Sequence, residues 1–246
     1  MGGLRMWTGT KWAPVKRWTG AKWAPVKVWN GTAWVPTTAP PVGPTVVGTS
    51  GLVQTTTQTT MTTTYPAGLV NGDRVYCLIW CSDNSAGSVI TTTAPGWATV
   101  TSLGDIGTMQ RLLLSALYSG ALAAPSISLT ASRRSAFLMI AVRGAAATPV
   151  TAFTDVPSSS ATATAPAVTA TANGLALRLY ARKDGSSQSV TDAPGHTRAV
   201  AVFGQAAMAD CRGVIDYQTV TAGAVAAASS VWPVASANNT SWTVAL

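Results

Sequence analysis

The chain reads as an all-β protein, a β-sandwich of jelly-roll type preceded by a short repeat arm of β-turns and hairpins. Three observations predict it. Short runs rich in Val, Thr, Ile and Leu alternate with Gly, Pro, Asn and Asp along most of the 246 residues, which is the pattern of strands joined by turns. All eight acidic residues are Asp and none is Glu, so long solvent-exposed helices, which draw on Glu, are not expected. An 11-residue repeat opens the chain and places a Gly between two Trp in each copy, a turn-forming arrangement.

The repeat comprises Trp7-Thr8-Gly9-Thr10-Lys11-Trp12, Trp18-Thr19-Gly20-Ala21-Lys22-Trp23 and Trp29-Asn30-Gly31-Thr32-Ala33-Trp34, each followed by Ala or Val and then Pro14, Pro25 or Pro36. Each unit reads as a tight turn or miniature hairpin. Asn30-Gly31 is a preferred two-residue hairpin turn because both positions tolerate positive φ. The register, and with it whether Trp29 stands opposite Trp34, is left open, since a one-residue slip re-aims every side chain. Three such units fall short of the roughly 40 residues below which a chain needs disulfides, a metal or partners to fold. Something else must therefore cover the six indoles: other copies of the chain, its own sandwich, a partner protein or a ligand.

Charge falls unevenly. Arg5, Lys11, Lys16, Arg17, Lys22 and Lys27 lie in residues 1–36 without a single acid, and the formal net charge of the whole chain is +8. A cation beside an indole adds ring stacking to the arm. Trp7, Trp12, Trp18, Trp23, Trp29 and Trp34, with Lys11 and Lys22, are therefore the candidate docking residues. Basic residues interleaved with aromatics also suit single-stranded nucleic acid, but no recognition helix, zinc finger or second basic cluster accompanies them. Nucleic acid is the weaker reading.

Residues 37–51 carry Pro40, Pro41 and Pro44 and read as a stiff linker, with the sandwich occupying residues 52–246. The Thr-rich run from Gln54 to Tyr65 favours a first edge strand, because Thr is β-branched. Clear strands follow at Arg74 to Cys81, Met109 to Tyr118, Ser126 to Thr130, Phe137 to Val142, Leu175 to Ala181, Arg198 to Phe203, Val214 to Val220 and Ser241 to Leu246. Alternation in Leu175-Ala176-Leu177-Arg178-Leu179-Tyr180 and in Trp242-Thr243-Val244-Ala245-Leu246 predicts half-buried strands. The continuous apolar run Phe137 to Val142 predicts a central strand covered on both faces.

Chemistry is sparse. Cys77, Cys81 and Cys211 are an odd number without CxxC spacing, and His196 is the only histidine, so neither a disulfide framework nor a metal site is expected. Cys77 and Cys81, four apart on a strand, share one face as small buried side chains. Asp73, Asp184 and Asp192 sit in turn contexts, and His196 lies in the loop Ala193-Pro194-Gly195-His196-Thr197 with no G-x-S-x-G elbow to complete a triad. No enzymatic activity and no cofactor are expected. No run of about 18 apolar residues appears, and the first thirty residues lack the apolar stretch of a signal peptide, so no membrane span is expected.

The stretch Tyr65-Pro66-Ala67-Gly68-Leu69-Val70-Asn71-Gly72-Asp73-Arg74-Val75, followed by Ala94-Pro95-Gly96-Trp97, resembles the opening of a β-sandwich module of minor tail proteins from phages that infect actinobacteria. Ala141-Val142-Arg143-Gly144 with Thr148-Pro149-Val150, and Ala163 to Val168 with Ala172-Asn173-Gly174-Leu175, are similar to its middle. Ser241 to Leu246 is similar to its closing strand, and the Trp repeats are similar to segments at the ends of such phage proteins. The resemblance implies a virion component assembled in the host cytoplasm, at the tail tip or on the capsid surface. It implies other virion proteins as partners, a homo-oligomer with a trimer expected, and contact with host envelope glycans. It brings no catalytic residues. The heptads or Gly-X-Y repeats of a fibre stalk are missing, which suits a compact baseplate subunit or a capsid decoration as well as a tail protein.

Overall fold

The computed structural model describes the chain apart from residues 1–4, 8–11, 15, 19–22, 26, 30–33, 37–42, 55–56, 83–89, 94, 107–108, 146–147, 157–159, 184–188, 204–210 and 237. It falls into two units, Met1–Val42 and Gly43–Leu246. In the first, β1 (Arg5–Trp7) pairs with β2 (Trp12–Pro14), β3 (Lys16–Trp18) with β4 (Trp23–Pro25), and β5 (Lys27–Trp29) with β6 (Trp34–Pro36), giving three separate antiparallel ladders. Each second strand stops at a proline, which has no N–H to extend a ladder.

The second unit is built twice over. Its first half holds β7 (Thr45–Val53), β8 (Gln58–Thr62), β9 (Arg74–Ser82), β10 (Ile90–Thr93), β11 (Ala98–Ile106), β12 (Met109–Leu117), β13 (Ser126–Arg133) and β14 (Ser135–Arg143). A five-stranded sheet runs β11-β12-β9-β14-β7, backed by a three-stranded sheet β10-β13-β8. This is jelly-roll connectivity with the fifth strand moved onto the first sheet.

The second half repeats it with β15 (Val150–Val156), β16 (Ser160–Ala165), β17 (Val168–Ala170), β18 (Gly174–Lys183), β19 (Thr197–Phe203), β20 (Arg212–Val220), β21 (Gly223–Val225), β22 (Ala228–Ser236) and β23 (Asn238–Ala245). Its five-stranded sheet runs β15-β23-β18-β20-β19, the same connectivity strand for strand. Here the second and seventh strands are each broken in two, so that β16 pairs with β22 and β17 with β21, and among the described residues the fourth is one bridge, Thr191 to Val231. The Pro95-Gly96 turn before β11 recurs as Pro194-Gly195 before β19, and both glycines take positive φ, +85° and +76°, as the third position of such a turn requires.

Residues 45–246 thus pack several antiparallel sheets together as the sandwich the sequence predicts, with one strand connectivity used twice within a single compact unit. The first strand, β7, begins inside the stretch read as linker, because Thr45 and Val46 after Pro44 pair with Arg143 and Val142 of β14. The Thr-rich run does supply an edge strand, β8, of the outer sheet.

The two halves pack through their five-stranded sheets. Tyr76, Leu78, Trp80, Leu138 and Ile140 from the first meet Leu175, Leu177, Leu179, Ile215 and Trp242 from the second, all buried. Each such side chain removed from water contributes roughly 1.5–3 kcal/mol. Gly213 is glycine because the sheets nearly touch there: a Cβ would lie 2.6 Å from the Trp80 ring. The first half has its own core of Val75, Cys77, Ile79, Cys81, Met139 and Ile127 between its two sheets, so both cysteines do share one buried face and Phe137 to Val142 is a doubly covered strand. The strands from Leu175 and Trp242 are not half-buried but buried on both faces, because β16, β17, β21 and β22 cover the face that alternation assigned to solvent.

Candidate functional site

In the arm the register settles what the repeat left open. Trp7 stands opposite Trp12, Trp18 opposite Trp23, and Trp29 opposite Trp34. In each unit the paired tryptophans are the ladder positions nearest the connecting segment. Asn30-Gly31, read as a hairpin turn, lies outside the described residues. The next position of each ladder pairs Met6 with Ala13, Arg17 with Ala24, and Val28 with Val35, and the last pairs Arg5, Lys16 or Lys27 with a proline. Cations thus recur at the open ends. Lys11 and Lys22 lie outside the described residues.

The second candidate region escaped the sequence reading. Aligning the two halves by their strand registers places Cys77, Leu114 and Met139, a row of neighbours in the first core, at the positions of Arg178, Asp216 and Thr243 in the second. The next row, Ile79, Leu112 and Phe137, becomes Tyr180, Val214 and Ser241. Polar side chains stand at five of these six positions in the second half, beside the apolar Val214. Arg178 is fully buried, and its guanidinium donates to the Pro166 carbonyl at 3.0 Å, to the Ala226 carbonyl and to Thr243 Oγ1. It thereby ties the β16–β17 junction, the β21–β22 junction and β23 together through neutral acceptors, and its burial lowers its pKa.

Asp216, also fully buried, accepts from Ser230 Oγ at 3.5 Å and lies 4.0 Å from Arg198 Nε. Burial, reinforced by the charge of Asp192, outweighs Arg198 and pushes its carboxyl up to about 7. Tyr180 donates its hydroxyl to the Ala228 carbonyl at 3.0 Å, and Arg182 lies 4.8 Å over the Trp232 ring. The signal was the pair Arg178 and Arg182, four apart on a strand. Alternation assigned that face to water, whereas the fold turns it into a core.

The remaining chemistry is structural in placement. Asp73 lies in its turn, accepting from the Val70 N–H and from Arg143 at 2.9 Å, and the Arg143 hydrogen bond holds its carboxyl below the ordinary value. Asp155 on β15 binds Arg111 on β12 at 2.6 Å, an ion pair that joins the two halves. Asp192 pairs with Arg198. His196 sits in the expected loop with Nδ1 3.0 Å from the Pro194 carbonyl. Cys77, Cys81 and Cys211 are in no disulfide and are all buried, and among the described residues no helix is long and apolar enough to cross a membrane.

The fold defines the class as an all-β, charge-poor β-sandwich. Comparisons with family profiles, with curated proteins and with solved structures find no match to this chain.

Proposed function

We propose that the chain is a non-enzymatic structural protein of a bacteriophage virion, a minor tail or tail-tip protein whose arm docks on a neighbouring virion protein while the sandwich forms the exposed body. The observation that carries this reading is the pairing of Trp7 with Trp12, Trp18 with Trp23 and Trp29 with Trp34 in three ladders of three residues per strand. A two-stranded ladder is marginal in water by itself, and each of these contains two tryptophans, which an adjoining surface stabilises by covering. Aromatic pairs in desolvated pockets are what anchor protein interfaces. The cations at the open ends supply complementarity to an acidic partner.

The test is particle assembly with residues 1–36 deleted. Docking predicts loss of the protein from purified particles while the body stays folded; unchanged incorporation removes the anchoring role. A capsid-decoration role would show as the same loss on heads instead of tails. The competing reading, a cell-wall glycan platform formed by the paired tryptophans, predicts sugar binding by a synthetic 1–36 peptide, where docking predicts none. The exposed body is the part available for contact with the host surface.

A further inference from the structure

The five-stranded sheets lie face to face, so the body has two margins where sheet edges run side by side. One margin is closed. There β7 and β19 meet, with Thr49 Oγ1 3.4 Å from the Ala199 carbonyl and Gly51 packed against Val202. Both strands also carry a register shift, near Val142 in the β7 ladder and between Arg198 and Val200 in β19.

At the other margin the edges are β11 and β15, and they differ. β11 is interrupted twice, between Thr99 and Thr101 and between Thr101 and Gly104, and bulges of this kind keep a foreign strand from pairing. β15 pairs with β23 through all its residues, Val150 to Val156, without a shift. It contains no Pro, Gly or Lys. Its one charge, Asp155, is engaged by Arg111 and by Thr240 Oγ1 at 2.7 Å. At its centre Phe153 is 49% exposed. Among the four edges of the large sheets, β15 alone has an unbroken ladder, and its one inward charge is neutralised within the fold.

We propose that β15 is a self-association edge, at which two copies of the chain pair antiparallel about Phe153 and join their second five-stranded sheets into one. The strand is nearly self-complementary, which is what a two-fold interface demands of a single patch. About Phe153, Ala152 meets Thr154, Thr151 meets Asp155, and Val150 meets Val156. Each Asp155 therefore faces a hydroxyl and not a like charge. Each Phe153 meets its own counterpart, so the exposed ring at the centre of one copy is covered by the ring of the other. The free main-chain groups of the edge gain partners by strand addition. This pairing belongs to the body and does not depend on how the arm is read.

Light scattering on the full chain tests it. The wild type is expected to show twice the mass of Phe153→Lys at equal concentration, with circular dichroism of the two alike. A second variant does not rely on disruption. Phe153→Cys places a thiol on the two-fold axis, opposite its own copy and within disulfide reach, while Val150→Cys lies opposite Val156 and has no partner thiol. The native cysteines are buried. Oxidation is expected to link Phe153→Cys into a covalent dimer and to leave Val150→Cys unlinked. Equal masses for wild type and Phe153→Lys, or no selective link at position 153, overturn the proposal.

Discussion

Replacing Asp216 by Asn should change how stability depends on pH more than it changes stability at any one pH. Asp216 on β20 is faced by Arg178 and Tyr180 from β18, by Arg198 from β19, by Asp192 from the segment before β19, and by Ser230 from β22. Its carboxyl is raised from 3.8 to about 7, first by burial and then by Asp192. The folded state therefore keeps a proton that the unfolded chain releases above about pH 4. Stability from this group is complete below the unfolded value and is lost as pH climbs through the folded one. A rise of about three units corresponds to roughly 4 kcal/mol in full, and to about 3 kcal/mol between pH 5 and pH 8. Asn mimics the protonated acid in shape and charge, so Asp216→Asn removes that slope. Urea denaturation at pH 5, 6, 7 and 8 reads it directly. Parallel profiles for wild type and variant would refute the account of a desolvated, weakly compensated carboxylate.

At the opposite end of the scale, Asp73 is held below its ordinary value by Arg143, so its contribution should fade only as pH falls below about 4, and Arg143→Gln should lessen the acid loss in the same denaturation series. Gly213→Ala should destabilise by about 1–3 kcal/mol through overpacking, since its methyl would meet the Trp80 ring and Leu138; a lowered denaturation midpoint checks this. Arg111→Leu leaves Asp155 without its partner across the two halves, and because Asp155 is 27% exposed the loss should be about 2 kcal/mol, under that of a fully buried pair. Burial pushes the Cys77 thiol up, and with Cys81 and Cys211 equally buried, a disulfide reagent should titrate none of the three in the native protein and all three in denaturant.

The strands legible from the sequence were those with enough large apolar residues to show a pattern. All eight of them form, including β9, β12, β14 and β18 at the centres of the sheets. Several of those overlooked are poor in such residues: Ser160–Ala165, Val168–Ala170 and Ala228–Ser236 are largely Ala, Ser, Thr and Val. Their role as cover layers needs only small side chains over an already buried sheet. The duplication was hidden for a related reason. Where Cys77, Leu114 and Met139 pack in one half, Arg178, Asp216 and Thr243 pack in the other, so the topology persists while hydrophobicity at matching positions does not. Arginine on alternate positions was assigned to solvent because a lone strand cannot show that a second layer will cover it. In the arm the repeat was legible, but the register that sets one tryptophan opposite the other required the backbone.

The claim on which the functional account rests is that the six arm tryptophans are sheltered by another molecule. Oxidative footprinting of Trp7, Trp12, Trp18, Trp23, Trp29 and Trp34, in the free chain at high dilution and again in assembled particles, measures that shelter residue by residue. The account predicts ready labelling in the dilute chain and protection in the particle. Equal labelling in both states, or full protection already in a dilute monomer, would contradict it.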